Sequence, residues 1–401
     1  MLKRIVLYIF LFTVTYLYIN NPLFVFTGGS ESIRWLYFLF PFAIIIKFSL
    51  FRKYLSSARP FVIIFVMIVL YLTFVMLSGG ETRYYTKNLA AAIEDVLLPF
   101  IFIVIFYLLK ITEKQFVSFL LVFGSACALL SFLCIINPSI ASYFRESVSV
   151  GNDYLDTHLY RGFGLSYSLT YAYGITLGII LVAGFNYFSN NKWFVFAAPF
   201  ILISIILNAR TGVVVAALGL LCAILVRRKV SSFLITPLLL IVLLYAFTRL
   251  VSSANLSEGS MVFMEDFVDA IGGYISGEDA GAISVLRSQW RMPDNVEDWL
   301  VGQGIDIYKL GGNMHSDIGF FIQLNYGGLF YLGLLLLLVA IVARFFFENK
   351  EYFWGYFFIA TFLIANYKGQ FLLTSGCFRL FIMIMTFYIY KQIVQVQGKG
   401  R

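Results

Sequence analysis

Runs of about 20 consecutive apolar residues recur along this chain, and few folds can accommodate them. At ~1.5 Å of rise per residue such a run spans the hydrocarbon layer of a bilayer, where each segment must satisfy its own backbone polar groups, as an α-helix does. Polar punctuation bounds twelve runs, at about 4–19, 34–51, 60–77, 88–109, 115–136, 164–185, 193–208, 211–226, 230–249, 316–343, 352–366 and 371–390. Composition agrees: 61% of residues are hydrophobic and 12% charged, against roughly 45–50% and 25% in soluble domains. One water-soluble core cannot absorb that much apolar surface. The sequence predicts an all-α integral membrane protein of about 12 transmembrane helices, built as a single polytopic domain over 1–401.

A net charge of +8 could point to nucleic acid, but the basic residues stand singly or in twos and threes between the runs. That is a topology signal, and no nucleic-acid partner is expected. With the N-terminus inside, Lys3-Arg4, Arg52-Lys53, Lys110, Arg227-Arg228-Lys229, Lys350 and Lys391 all fall on the cytoplasmic side. Arg83 and Lys87 run against the pattern. Both termini are then cytoplasmic, and the first run, which lacks a small-residue cleavage site, reads as an uncleaved span. Cys127, Cys134, Cys222 and Cys377 lie inside apolar runs, so none suits a loop disulfide.

This topology puts two sizeable loops on one outer face, a first periplasmic loop at 137–163 and a larger second one at 251–315. No Gly-rich phosphate loop or dinucleotide fingerprint occurs, and the cytoplasmic loops are short, so the chemistry is expected outside. Within the larger loop, 261–275 has the spacing of an interfacial helix, and 284–292 reads as a helix stopped by Pro293. That second helix would set Arg287 and Arg291 one turn apart, about 6 Å, a fork suited to a pyrophosphate. The same pair could instead bridge Asp294, Glu297 or Asp298, or snorkel to lipid headgroups.

Both histidines, His158 and His315, fall in these outer segments. His315 directly precedes a span, where a neutral imidazole could take a proton from a substrate at the lipid boundary. The plainer alternative is a helix start capped by Ser316 or Asp317, with His315 merely interfacial. Two histidines without an outer cysteine do not make a zinc site, so neither metal nor other cofactor is expected. Arg161 and Arg210 stand at the outer ends of spans. Asn208 and Thr211 beside Arg210 suggest a polar pocket, although Arg210 could snorkel. Glu94 and Asp95, about one turn inside the fourth span, are ion-pair partners for arginine and secondary candidates for a general base.

Four segments together resemble the O-antigen polymerase and ligase superfamily of bacterial envelope glycosyltransferases. They are Tyr160-Arg161-Gly162-Phe163-Gly164, Ala209-Arg210-Thr211-Gly212, Arg287-Ser288-Gln289-Trp290-Arg291 continuing to Gly302-Gln303-Gly304, and His315-Ser316-Asp317 with Gly327-Gly328. Arg291 and Gly302 also have the Arg-x10-Gly spacing of the polymerases, while Ser316 stands where ligases carry Asn.

The resemblance implies a GT-C-like membrane enzyme of the bacterial inner membrane. It implies that an oligosaccharide repeat unit on undecaprenyl pyrophosphate is transferred to a second lipid-linked unit, inverting the anomeric centre. Arg161, Arg210, Arg287 and Arg291 would hold the pyrophosphate, and His315 with Asp317 would take the acceptor's proton. Donor and acceptor lipid-linked glycans, membrane lipid, a flippase and a chain-length regulator are the implied partners. Two alternatives stand beside polymerisation for lipopolysaccharide: a ligase attaching the glycan to lipid A core, and a flippase for lipid-linked oligosaccharides. Internal repeats and charges deep in the spans would mark the flippase, rather than a large outer loop.

Overall fold

The computed structural model describes residues 2–27, 31–147, 165–166, 171–187, 194–227, 288–310, 315–373 and 375–399. Regular structure among them is helical, apart from one isolated bridge between Leu23 and Glu31. Among the described residues six helices are long and apolar enough to cross a bilayer, and a bent pair makes up to seven. Eleven of the twelve apolar runs fall on helices; the run at 230–249 lies outside the described residues.

The helix Arg59–Leu77 shows why these segments belong in lipid. Ile64, Phe65, Ile68, Leu72 and Val75 are buried on one face, while Ile63, Val66, Met67, Leu70, Phe74 and Leu77 are exposed on the other. A helix that is apolar all round, with half of it outward, has no aqueous setting that suits it. The chain is a multi-pass membrane protein.

It divides into two compact units. The first comprises 1–11, 35–110 and 281–401. Here Gly319–Glu348 packs on Tyr352–Lys368 and Arg59–Leu77, and Gly376–Lys399 packs on Pro99–Leu109. Gly376–Lys399 is the core helix of this unit, with Cys377, Phe378, Arg379, Leu380, Phe381, Ile382 and Met383 all buried. The second unit comprises 12–34 and 111–280. In it Tyr171–Asn186 lies against Arg210–Arg227, Phe194–Asn208 and Glu113–Ile136. Small residues bring the first two of these close together: a Cβ on Gly178 would stand 2.9 Å from the Gly212 carbonyl oxygen, and one on Gly174 2.8 Å from Ala209 Cβ.

Four expectations need correction. The run at 34–51 is not one span, because Ser32–Ile46 and Phe48–Ser57 meet at 106°. Lys47 stands at that break, and its ammonium lies 4.8 Å from the centre of the Tyr107 ring. The fourth span starts at Thr82 rather than 88, so Glu94 and Asp95 lie roughly three turns inside the helix Thr82–Leu109. Neither Ser316 nor Asp317 caps the next span, which begins at Gly319 behind Ile318 with no side-chain cap, and it is broken at Gly328. Finally, no helix reaches Arg291: Gln289 is in a turn and 290–293 are irregular. Pro293 disfavours helical geometry at Met292, and the Gln289 side chain is drawn elsewhere.

Candidate functional site

Residues 289–291 run beside the start of Gly319–Glu348, advancing one helical turn per residue. Gln289 bonds Asp317, Trp290 packs on Phe321 at 5.7 Å between ring centres, and the Arg291 carbonyl accepts from Asn325 Nδ2 at 2.9 Å. The Gln289 carboxamide grips Asp317 twice. Its oxygen accepts from the Asp317 backbone N–H at 3.1 Å, and its Nε2 faces Oδ2 at 3.4 Å.

The other Asp317 oxygen, Oδ1, meets His315 Nε2 at 3.2 Å. When the carboxylate is ionised and the imidazole neutral, Nε2 donates to Oδ1 and Nδ1 is the acceptor nitrogen. Both side chains are about one-third exposed, 34% for His315 and 33% for Asp317, so solvent or substrate can reach them. Tyr308 closes one end, its ring 5.6 Å from the imidazole.

Arg291 adds a cation to the same segment. Its Nη1 donates to the Trp290 carbonyl at 3.0 Å, its Nε is buried without a hydrogen bond, and it makes no ion pair among the described residues. Asp298, one of the acids that could have paired with it, is held by Asn295 Nδ2 at 2.7 Å and Gln303 Nε2 at 2.9 Å.

A three-way junction fixes this assembly to the spans. Gly302 and Gly304 turn the loop with φ of +80° and +71°, and Gly328 breaks the helix at +66°. Two loop amides reach carbonyls beside the break: Gln303 N–H to Asn325 at 2.7 Å, and Gly304 N–H to Tyr326 at 3.0 Å. Glu81 ties in the third strand of the junction, its N–H donating to the Gly304 carbonyl at 2.8 Å and its Oε1 accepting from Asp306 N–H at 3.1 Å. Tyr71 donates to the Gly327 carbonyl at 2.9 Å. Helix-breaking glycines inside a span leave backbone carbonyls needing donors, and here the loop supplies them.

Glu94 and Asp95 take a different role from the one expected for a base. Both are buried against Arg379, which bonds Glu94 through Nη2 and lies 3.5 Å from Asp95 Oδ1 through Nε; Tyr37 donates to the second Glu94 oxygen at 2.5 Å. The side chains are 2%, 0% and 6% exposed for Glu94, Asp95 and Arg379, which makes them a polar pin in the core. They are ion-pair partners of an arginine, as expected of them. That arginine is Arg379, which the sequence reading passed over; a lone arginine inside an apolar run was the available signal.

In the second unit, Arg210 opens the helix Arg210–Arg227. Asn208, two residues earlier, is fully buried, with Nδ2 on Ser131 Oγ at 2.7 Å and on the Ser204 carbonyl at 2.8 Å, so the interior beside this helix start is polar. Arg161, Arg287, His158 and the helix expected at 261–275 lie outside the described residues. The first unit therefore joins His315 and Asp317 to Gln289, which had no sequence signal of its own, with Arg291 two residues along the same segment. No family model and no curated protein sequence matches the chain.

Proposed function

We propose that the protein is an inverting glycosyltransferase that polymerises undecaprenyl-pyrophosphate-linked repeat units into O-antigen or a related surface polysaccharide. In this reading the chain has twelve spans in a GT-C-like arrangement in a bacterial inner membrane, with both termini cytoplasmic and the site on the outer face. The observation that carries it is the His315–Asp317 pair, 3.2 Å apart, part-exposed and directly before a span.

The acceptor hydroxyl attacks the anomeric carbon while Nδ1 takes its proton. Asp317 holds the imidazole in the required tautomer and stabilises the imidazolium that forms. The bond from the anomeric carbon to the phosphate oxygen breaks, and undecaprenyl pyrophosphate leaves with the electron pair. Arg291, which has no carboxylate partner among the described residues, is assigned to that charge, with Arg161, Arg210 and Arg287 assigned to the same anion from the sequence motifs. In this reading Glu94 and Asp95, buried against Arg379, serve as its ion-pair partners.

The surface-glycan ladder of cells lacking the gene tests the reading. A single repeat unit on lipid A core is the expected result. Long lipid-linked chains absent from core would assign a ligase, and intermediates trapped on the cytoplasmic face would assign a flippase.

A further inference from the structure

The loop at 288–310 carries Asp294, Glu297, Asp298, Asp306 and Lys309 and no span-capable helix, yet Trp290 is 48% and Tyr308 55% exposed. Exposed aromatic rings such as Phe38, Phe42 and Phe74 sit on apolar helices, where lipid accounts for them. Trp290 and Tyr308 stand instead on this charged loop. Acyl chains laid across them would cover the Asp317 carboxylate and the Gln289 carboxamide, and desolvating those groups is unfavourable.

The two rings stand near a polar row. Tyr308 lies against the His315 imidazole, Trp290 follows Gln289, and Gln289 is bonded to Asp317. The Trp290 ring and the backbone at Tyr308 are both anchored. Trp290 packs on Phe321, while Tyr308 N–H donates to Asp306 Oδ1 at 3.3 Å and Ser316 N–H to the Ile307 carbonyl at 3.4 Å. A fixed aromatic face beside acceptors and donors in a row suits a molecule that has one apolar C–H face and a rim of hydroxyls. A pyranose ring is such a molecule: its C–H dipoles meet the negative face of the aromatic ring and its hydroxyls meet the polar edge.

We propose that Trp290 and Tyr308 form a saccharide subsite beside the Gln289–Asp317–His315 row, holding the sugar ring whose hydroxyl faces His315 Nδ1. The subsite deepens the polymerase reading and rests on it only for the sugar's role as acceptor.

The test uses the full-length protein in phosphatidylglycerol nanodiscs. The probe is radiolabelled oligosaccharide from partial acid hydrolysis of the producing cells' own surface polysaccharide, measured by equilibrium dialysis. Trp290→Ala and Tyr308→Ala should each weaken binding roughly five- to tenfold, whereas Trp290→Phe and Tyr308→Phe, which keep a ring, should stay within about threefold. Melting temperatures of the four variants separate a lost ring from a lost fold. Equal binding by the wild type and both well-folded Ala variants, or no binding by the wild type, overturns the subsite.

Lipid contact is tested in nanodiscs with brominated acyl chains. Quenching of the fluorescence difference between wild type and Trp290→Phe would place Trp290 in lipid and also overturn it; an unquenched difference is expected. Chain growth from lipid-linked repeat units distinguishes the two failures. Ring-dependent binding without any chain growth would leave the subsite and remove the polymerase reading, while normal chain growth in both Ala variants would do the reverse.

Discussion

Arg379→Met should destabilise the first unit severely while changing little in shape or volume. The guanidinium is 6% exposed and lies between two carboxylates that are 2% and 0% exposed, so its removal leaves two buried acids without this cation. Breaking a buried ion pair from one side costs about 3–5 kcal/mol. At roughly 2–4 °C per kcal/mol for a cooperative unit of about 200 residues, the melting transition should fall by about 6–20 °C. Fluorescence-detected size exclusion of detergent-solubilised protein after a temperature series reads this directly. The loss belongs to the buried acids deprived of this cation rather than to the missing side chain. The triple variant Arg379→Met, Glu94→Gln, Asp95→Asn should therefore recover most of the melting temperature. A single variant that melts with the wild type, or a triple variant no better than the single, would refute the reasoning.

Gly328→Ala requires a Cβ at φ +66° within 2.6 Å of Gly302 N, and should cost about 1–3 kcal/mol and speed protease cleavage around 300–304, read by limited proteolysis. Gly178→Leu drives a side chain into the Gly212 carbonyl, 2.9 Å from the position of Cβ, and should lower the melting temperature by a similar energy through the second unit alone. Gln289→Ala frees Asp317 and with it the imidazole, so chain growth should slow by up to about a hundredfold at unchanged protein level. Gln289→Glu should do at least as much harm, because it sets a second carboxylate against Asp317. Chain growth assayed across neutral pH in both variants checks this, and an unchanged pH profile in both would remove Gln289 from the positioning role.

The helices were legible because run length is a strong constraint in lipid, and the ends drift where polar residues continue a helix. Arg83 and Lys87 looked like a loop, yet the helix begins at Thr82 because Glu81 is anchored on Gly304 and Asp306, more than two hundred residues away. Lys47 was the visible clue to the bend in the second run. The glycines at 302, 304, 327 and 328 were visible as a pattern, but their common purpose, closing a loop onto a broken helix, exists only in three dimensions. His315 and Asp317 were legible by scarcity and position. Gln289 was not, since a glutamine in a polar loop says nothing until its partner 28 residues on is known. The spacing of Arg287 and Arg291 suggested one helix face, and the pull of Asp317 on Gln289 together with Pro293 ended that helix first.

Chain growth by the purified protein on lipid-linked repeat units, comparing wild type with His315→Ala and His315→Gln, tests the central claim most directly. A general base contributes about 10² to 10⁴ in rate, so the wild type should build a ladder and both variants should fail to build one while still binding donor. A ladder from the Gln variant close to that of the wild type would contradict proton transfer at His315, because an amide can replace a hydrogen bond but not a base.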